Sequence, residues 1–233
     1  SVERLISNKT RALLSVDFTG RLCDYKALIP LCDNYKIKLI QDGSQAFGAI
    51  RDGYVSGALG VASAISHNPM KVFGALGEAG TVFTNDEEQK DRLEMLRYNG
   101  TIRREECLIP SLNSRMDSLQ AAFLKEKLPN VKNVIAKRNG NAKFFSDNLH
   151  SSIAKPIKEE NEIHVYYTYT IVVENRDKLM QYLAEAGIET KIQHPFLMCD
   201  QAPYINCKFE KTNGIYYRDR ILSIPVHEKL SDD

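Results

Sequence analysis

The sequence predicts an α/β fold followed by a smaller α+β domain, and three observations carry that expectation. Short apolar runs alternate with a helical stretch through the first half, the arrangement of a parallel sheet with helices packed on it. Helical apolar spacing then dominates residues 113–150. Beyond about 150, β-rich segments and a short helix interleave. The expected organisation is a large α/β domain containing 1–112, a helical connector over 113–150 and a small α+β domain over 151–233.

Taken in order, Ala12 to Val16 reads as a strand, Cys23 to Asn34 as a helix, and Ile37 to Ile40 and Val61 to Ile65 as further strands, apolar enough to be buried in a parallel sheet. Thr81 to Thr84 is another short strand. Asn85 or Asp86 then caps a helix that carries Glu88 in its first turn, runs to Tyr98 and is closed by Asn99-Gly100. Leu119, Ala122, Phe123, Leu128, Val131 and Ile135 keep helical spacing through a connector interrupted at Pro129 and Gly140. Ile163 to Val173 is β-rich, with Tyr166, Tyr167 and Tyr169 alternating along a strand. Asp177 to Ala186 is a helix stopped by Gly187, and Ile188 to Ile192 is strand-like. Both ends read as cut: the chain opens without Met inside a helix that leads to a strand, and Leu230-Ser231-Asp232-Asp233 is a cap-like start with no helix after it.

Composition removes several function classes. At 233 residues with 43% hydrophobic and 26% charged residues, the chain can bury a core and is not disordered. A net charge of +1, with neither sign in long blocks, offers no footprint for nucleic acid or an anionic membrane. No apolar run approaches the ~20 residues of a spanning helix and no signal peptide opens the chain, so the protein is expected to be cytoplasmic. The five cysteines (Cys23, Cys32, Cys107, Cys199, Cys207) form no C-x-x-C pair and the five histidines lack ligand spacing, so reduced thiols and no metal are expected.

The chemistry-bearing residues fall at strand ends. After the strand Ile37 to Ile40 comes Gln41-Asp42-Gly43-Ser44-Gln45-Ala46, and after Val61 to Ile65 comes Ser66-His67-Asn68-Pro69-Met70-Lys71. Carboxyl ends of parallel strands are where α/β proteins bind ligands. The glycines of Gly74-Ala-Leu-Gly77-Glu-Ala-Gly80 precede a strand rather than a helix, which excludes a dinucleotide or P-loop reading. They let backbone pass close around whatever Lys71 holds. A carboxylate, an amide, a hydroxyl and an amine gathered from Asp42, Gln45, Ser66 and Lys71 match the needs of pyridoxal phosphate: the amine bonds its aldehyde and the acid keeps the pyridine nitrogen protonated. By spacing alone the bland reading leads, since most Asp and Lys near strand ends are solvated surface groups or caps.

The surrounding words go further. Asp42-Gly-Ser-Gln45-Ala-Phe-Gly48-Ala, Ser66-His-Asn-Pro69-Met-Lys71-Val-Phe-Gly-Ala-Leu-Gly77-Glu-Ala-Gly80 and Asn113-Ser-Arg115-Met-Asp117-Ser-Leu-Gln120-Ala-Ala resemble, in order, motifs of the DegT/DnrJ/EryC1/StrS family of pyridoxal-phosphate-dependent nucleotide-sugar aminotransferases. Glu185-Ala-Gly187-Ile188 and Ile224 to Ser231 extend the resemblance over most of the chain. It implies the aspartate-aminotransferase-like fold (type I) of PLP-dependent transferases, cut at both ends, with the family's N-terminal phosphate-binding turn and ring-stacking aromatic preceding Ser1. It implies Lys71 as the lysine bound to pyridoxal 5'-phosphate, Asp42 as the pyridinium partner, Gln45 near the ring and Ser66 on the phosphate. Asn113 would reach the phosphate in the neighbouring subunit of a homodimer, and Arg115 and His194 would touch substrate. The implied reaction moves an amino group, from glutamate as donor, onto a keto-deoxysugar nucleotide. The alternatives are a non-catalytic or regulatory relative and a sugar dehydratase; members of the latter kind carry histidine where Lys71 stands. Met70 departs from the Thr or Ser common before the lysine, and Cys199 stands where a histidine is common.

Bland readings stand beside these. Asp42 would then cap a helix after its strand, His67 and His164 would pack or hydrogen-bond, and Lys125, Lys127, Lys132 and Lys137 would form the solvated face of the connector. Cys199 has no base or acid to activate it.

Overall fold

A computed structural model describes residues 2–206, 209 and 211–231. Cys207 and the closing Asp232-Asp233 lie outside the described residues. The order is β1 (Ala12–Val16), α1 (Tyr25–Tyr35), β2 (Lys38–Asp42), β3 (Ile50–Arg51), β4 (Tyr54–Val55), β5 (Ala62–Ser66), β6 (Gly80–Phe83), α2 (Glu87–Arg97), β7 (Thr101–Ile102), β8 (Glu106–Cys107), α3 (Ser118–Lys127) and α4 (Val131–Asn148). Then follow β9 (Glu162–Ile163), β10 (Tyr169–Val172), α5 (Arg176–Glu185), α6 (Thr212–Arg218) and β11 (Ile221–Ile224). Contacts divide the chain into two compact units, Ser1–Ile135 with Glu159–Tyr167, and Ala136–Lys158 with Thr168–Asp233.

In the first unit the main sheet has the order β1-β2-β5-β6. The first three strands are parallel and β6 is antiparallel to β5. The apolar runs of β1 and β2 need a crossover to become parallel neighbours. That crossover is α1, capped by Asp24, whose carboxylate accepts from Ala27 N at 3.1 Å. Between β5 and β6 there is only an irregular loop, so β6 returns antiparallel. One sheet face builds the core, in which Leu39 packs with Tyr25, Ala46, Phe73, Leu124 and Ile135. The strands are less buried than their apolar runs predict. Leu14 is 63% exposed and Val16 and Val82 are also exposed, because no described element covers the opposite face.

Local chemistry sets the remaining boundaries. Asp86 caps α2 by accepting from Gln89 N at 3.1 Å, and Asn99 and Gly100 follow its end at positive φ. A Cβ on Gly100 would lie 1.5 Å from the Ile109 carbonyl oxygen, so only glycine fits. The expected opening helix is a single 3-10 turn, Glu3–Leu5.

The second unit pairs β10 with β11, burying Tyr169, Ile171 and Leu222. β11 had no counterpart in the sequence reading. Ile188 to Ile192 is not a strand; it makes one bridge, Lys191 to Ser223. The stretch 163–173 is not one strand either. β9 joins β3 in the first unit, β10 belongs to the second, and Tyr166 between them is left-handed at φ 47. Tyr166 and Tyr167 therefore sit in an irregular segment, and only Tyr169 is on a strand.

Gly140 interrupts nothing. α4 runs through it, because one glycine costs a helix about 1 kcal/mol against alanine, less than the rest of an 18-residue helix provides. A Cβ there meets nothing within 4 Å. Gly140→Ala is therefore expected to raise unfolding stability by about 0.5–1 kcal/mol, read from the midpoint of urea denaturation at unchanged slope.

Candidate active site

The carboxyl ends of β1, β2 and β5 lie side by side, since Val16 is in register with Asp42 and Asp42 with Ala64. Ser66 stands two residues past Ala64 on β5, so its side chain leaves the sheet on the same face as that of Asp42. No helix follows β2. Asp42 Oδ1 accepts from Ser44 N at 3.0 Å and Ala46 N closes a turn on the Gly43 carbonyl, an Asx-type turn. Asp42 therefore caps no helix. Among the described residues its Oδ2 has no donor.

Two acids stand at this sheet end, and their surroundings differ. Asp17, just past β1, is fully buried. Its Oδ1 accepts from Cys23 N (2.9 Å) and Tyr25 OH (2.8 Å), and its Oδ2 accepts from Gln41 Nε2 (2.6 Å). Burial pushes the Asp17 carboxyl upward against those three bonds, and burial likewise pushes the neighbouring Cys23 thiol up to about 12. That thiol is therefore no nucleophile. Asp17 is spent on the fold, tying the start of α1 to β2, whereas Asp42 is half-buried with one oxygen open.

Gln45 reaches back to the loop after β1. Its Oε1 accepts from Thr19 N at 2.7 Å, which orients the amide and leaves Nε2 as an unused donor. Thr19 itself is left-handed at φ 61. Next to it Gly20, at φ +97, lies against three groups at once: a Cβ would come within 2.7 Å of Val165 Cγ2, 2.9 Å of Tyr167 N and 3.0 Å of the Gln45 carbonyl oxygen. This close approach draws the segment 164–167 onto the strand ends, pinned by Val165 N donating to the Gly20 carbonyl at 3.0 Å.

Lys71 sits in the loop 67–79, which is held from several sides. The buried His67 ring bonds the Phe73 carbonyl oxygen through Nδ1 (3.0 Å) and Thr81 Oγ1 through Nε2 (2.9 Å), and it meets Phe47 and Phe73 edge-on. Since a carbonyl only accepts, Nδ1 donates, and burial lowers the ring's pKa, which favours the neutral ring with Nε2 accepting from the Thr81 hydroxyl. Gln120 on α3 accepts from Leu76 N and Gly77 N. Lys127, expected on a solvated face, instead donates to the Gly74 carbonyl at 2.7 Å. The glycine at 74 is required because a Cβ would lie 2.7 Å from the Asn68 and Pro69 carbonyl oxygens. Out of this fixed loop the half-buried Lys71 projects its Nζ over the Tyr167 ring, 4.4 Å from the centroid.

The structure thus brings Asp42, Gln45, Ser66 and Lys71 to one end of the sheet. Asn113 and Arg115 are exposed on the segment between β8 and α3, where Arg115 Nε donates to Asn113 Oδ1 at 3.0 Å. His194 is exposed in the second unit. His164 packs, stacked on Tyr166 at 3.9 Å. Tyr167 escaped sequence reasoning because nothing local marks it: its partner Lys71 lies on a distant segment. Gln120 had a signal, its place in the Asn113 to Gln120 word, but no assigned role.

This donor set fits pyridoxal phosphate. No described carboxylate lies within 4.0 Å of Lys71 Nζ, so among the described residues the amine is ion-paired neither with Asp42 nor with another acid. The open Asp42 oxygen, the Gln45 amide N–H and the Ser66 hydroxyl are each anchored on one side and available on the other.

Residues 1–233 match the DegT/DnrJ/EryC1/StrS aminotransferase family. The chain is 31% identical over 230 residues to a UDP-2-acetamido-2-deoxy-3-oxo-D-glucuronate aminotransferase of Pseudomonas aeruginosa, covering 98% of the chain and 64% of the relative. It is 34% identical over 232 residues to a dTDP-3-amino-3,6-dideoxy-alpha-D-galactopyranose transaminase of Aneurinibacillus thermoaerophilus, covering 99% and 64%. Among solved structures, S. venezuelae DesV in complex with a ketimine intermediate superposes with a TM-score of 0.94 at 30% identity, over 99% of this chain and 64% of that one. The chain therefore spans about 64% of the length of these relatives, and the likeness shows the fold expected from the sequence words. No helix among the described residues is long and apolar enough to cross a membrane.

Proposed function

Because this chain belongs to the DegT/DnrJ/EryC1/StrS aminotransferase family, we propose that it is part of a pyridoxal-phosphate-dependent aminotransferase that moves an amino group from glutamate onto a keto carbon of a nucleotide-linked deoxysugar. One observation carries the reading: a half-buried lysine amine, unpaired by any described carboxylate, stands with Asp42, Gln45 and Ser66 at the carboxyl ends of parallel strands.

When bound, the cofactor supplies an electron sink for the bond that breaks at the amino acid's α-carbon. The residues of this chain do the rest. Lys71 would hold the cofactor through its aldehyde, and its amine, once freed by the amino donor, would carry the proton away from the donor's α-carbon. Asp42, oriented by Ser44 N, would hold the proton on the pyridine nitrogen. The Gln45 amide would donate to the ring and the Ser66 hydroxyl would serve the phosphate. Tyr167 keeps the Lys71 side chain on one face of its ring. Asn113 completes the phosphate site of a second subunit in a cytoplasmic homodimer, and Arg115 and His194 face the substrate.

The test is the half-reaction. Full-length protein loaded with the cofactor and mixed with glutamate alone is expected to form one equivalent of 2-oxoglutarate per site. Cofactor capture without 2-oxoglutarate would move the protein to the non-catalytic reading.

A further inference from the structure

Residues 159–167 belong by their contacts to the first unit, although the chain on either side of them belongs to the second. This strap carries Tyr167, whose ring lies under the Lys71 amine. Its backbone hold on the first unit is thin. β9 offers two residues to β3, Ile163 opposite Ile50 and Glu162 opposite Arg51, and Val165 N donates to the Gly20 carbonyl.

An ion cluster reinforces that hold. Glu162, its side chain only 1% exposed, accepts from Arg21 Nε through Oε2 at 2.9 Å and from Glu159 N through Oε1 at 2.9 Å. Arg51 Nε stands 3.9 Å from the same Oε2, and Arg51 Nη2 donates to both carboxylate oxygens of Glu159 at 3.1 Å. Arg21 Nη2 reaches Glu159 as well, at 2.8 Å. Both arginines thus come from the body of the unit, Arg21 from the loop after β1 and Arg51 from β3, and both acids come from the strap. Burying such a cluster brings little net stability, since apolar residues of similar volume often do as well. What it supplies is register. A slip of one residue in β9 would turn Glu162 to the opposite face, away from its arginines. The same slip would carry Tyr167 about 3.3 Å along, a distance comparable with the 4.4 Å between its ring centroid and Lys71 Nζ.

We infer that Glu162 is a positioning residue for Lys71: through Arg21 and Arg51 it fixes the strap in the register that sets Tyr167 beneath the amine. Its two oxygens are committed to Arg21 and to the strap's own backbone, so it acts on the amine through Tyr167. The inference rests on the proposed function for what Lys71 is for. Its test reads the amine itself, in protein without cofactor.

The experiment is trace acetylation of the cofactor-free full-length protein with acetic anhydride, Lys71 being followed by peptide mapping against the exposed Lys132. Tyr167→Leu is expected to speed acetylation of Lys71 roughly two- to fivefold, the change that loss of a cation–π contact corresponds to. Tyr167→Phe keeps the ring and should keep the parent rate. Glu162→Gln, which removes the charge at nearly the same volume, is expected to repeat the acceleration seen in Tyr167→Leu. Arg21→Gln, at the more exposed edge of the cluster, should act likewise and serves if Glu162→Gln does not fold. In the double variant of Glu162→Gln and Tyr167→Leu the two effects should not multiply, because without the ring nothing remains for Glu162 to position. A merely structural Glu162 would lower the melting temperature and leave Lys71 acetylation at the parent rate. An unchanged rate in Tyr167→Leu, an unchanged rate in the folded Glu162 or Arg21 variant, or effects that multiply in the double variant overturns the assignment. Failure of the parent protein to capture pyridoxal phosphate beside coupled effects would sink the proposed activity and leave the positioning role standing, and normal capture beside uncoupled effects would do the reverse.

Discussion

Lys71→Ala is expected to abolish cofactor capture and to lower turnover by at least about 10³-fold, because on the proposed function both the covalent anchor and the proton carrier disappear with one amine. The fold should survive. Lys71 contributes a cation–π contact with Tyr167, and such a contact is worth about 0.5–1 kcal/mol where partly exposed. The loop around it is held by His67, Gln120 and Lys127 rather than by Lys71. Thermal unfolding of the cofactor-free variant should therefore resemble that of the cofactor-free parent, while the visible absorbance of the lysine-bound cofactor is absent. Lys71→Arg should fail equally, since a guanidinium does not bond an aldehyde in this way. A variant that keeps the visible band has its covalent lysine elsewhere.

The placement of Lys71 beside Asp42 was legible in the sequence because both lie within a few residues of a strand end, while the roles proposed for them came from the resemblance of the surrounding words. The apolar run of β5 announces the strand, Ser66 to Lys71 follows it, and the register of Asp42 with Ala64 makes neighbours of two such ends. Capping was legible for the same reason: Asp86 and Asn99-Gly100 act through bonds that span three or four residues. Contacts between distant segments were not. Tyr167 meets Lys71 only because Gly20 lets an irregular stretch approach the strand ends, and that stretch, rich in β-branched and aromatic residues, carries the local signature of a strand. Gly140 failed in the opposite direction. A local rule marked it as a break, but the packing of the residues around it, Ile135 and Ala142 among them, holds the helix together. Lys127 looked solvated because its position on α3 says nothing of the Gly74 carbonyl that its long stem reaches.

Asp17 shows why burial alone does not choose between the two acids at this sheet end. It lies at the same sheet end as Asp42 and burial shifts its carboxyl, a frequent sign of a functional group. Its three donors come from the backbone of Cys23, from Tyr25 and from Gln41, and they use both of its oxygens. Asp42 has a single donor and an open oxygen.

Asp42→Asn tests that distinction with little disturbance to structure. Asparagine can keep the bond from Ser44 N through its own Oδ1, so the turn after β2 persists and unfolding stability should change by less than about 1 kcal/mol. On the proposed function, what vanishes is the negative charge that would hold a proton on the pyridine nitrogen, and with it the stabilisation of charge developing on the ring. Losing one such preorganised electrostatic contact costs about 10²–10³-fold in turnover. Capture of the cofactor by Lys71 should continue, so the visible band is expected to remain while formation of 2-oxoglutarate from glutamate slows by that factor. Asp42→Ala should slow it as much or more and also lose the turn bond, at about 1 kcal/mol of stability. Wild-type turnover in Asp42→Asn would mean that the acid facing the ring is not this one, and the arrangement of strand ends would need another reading.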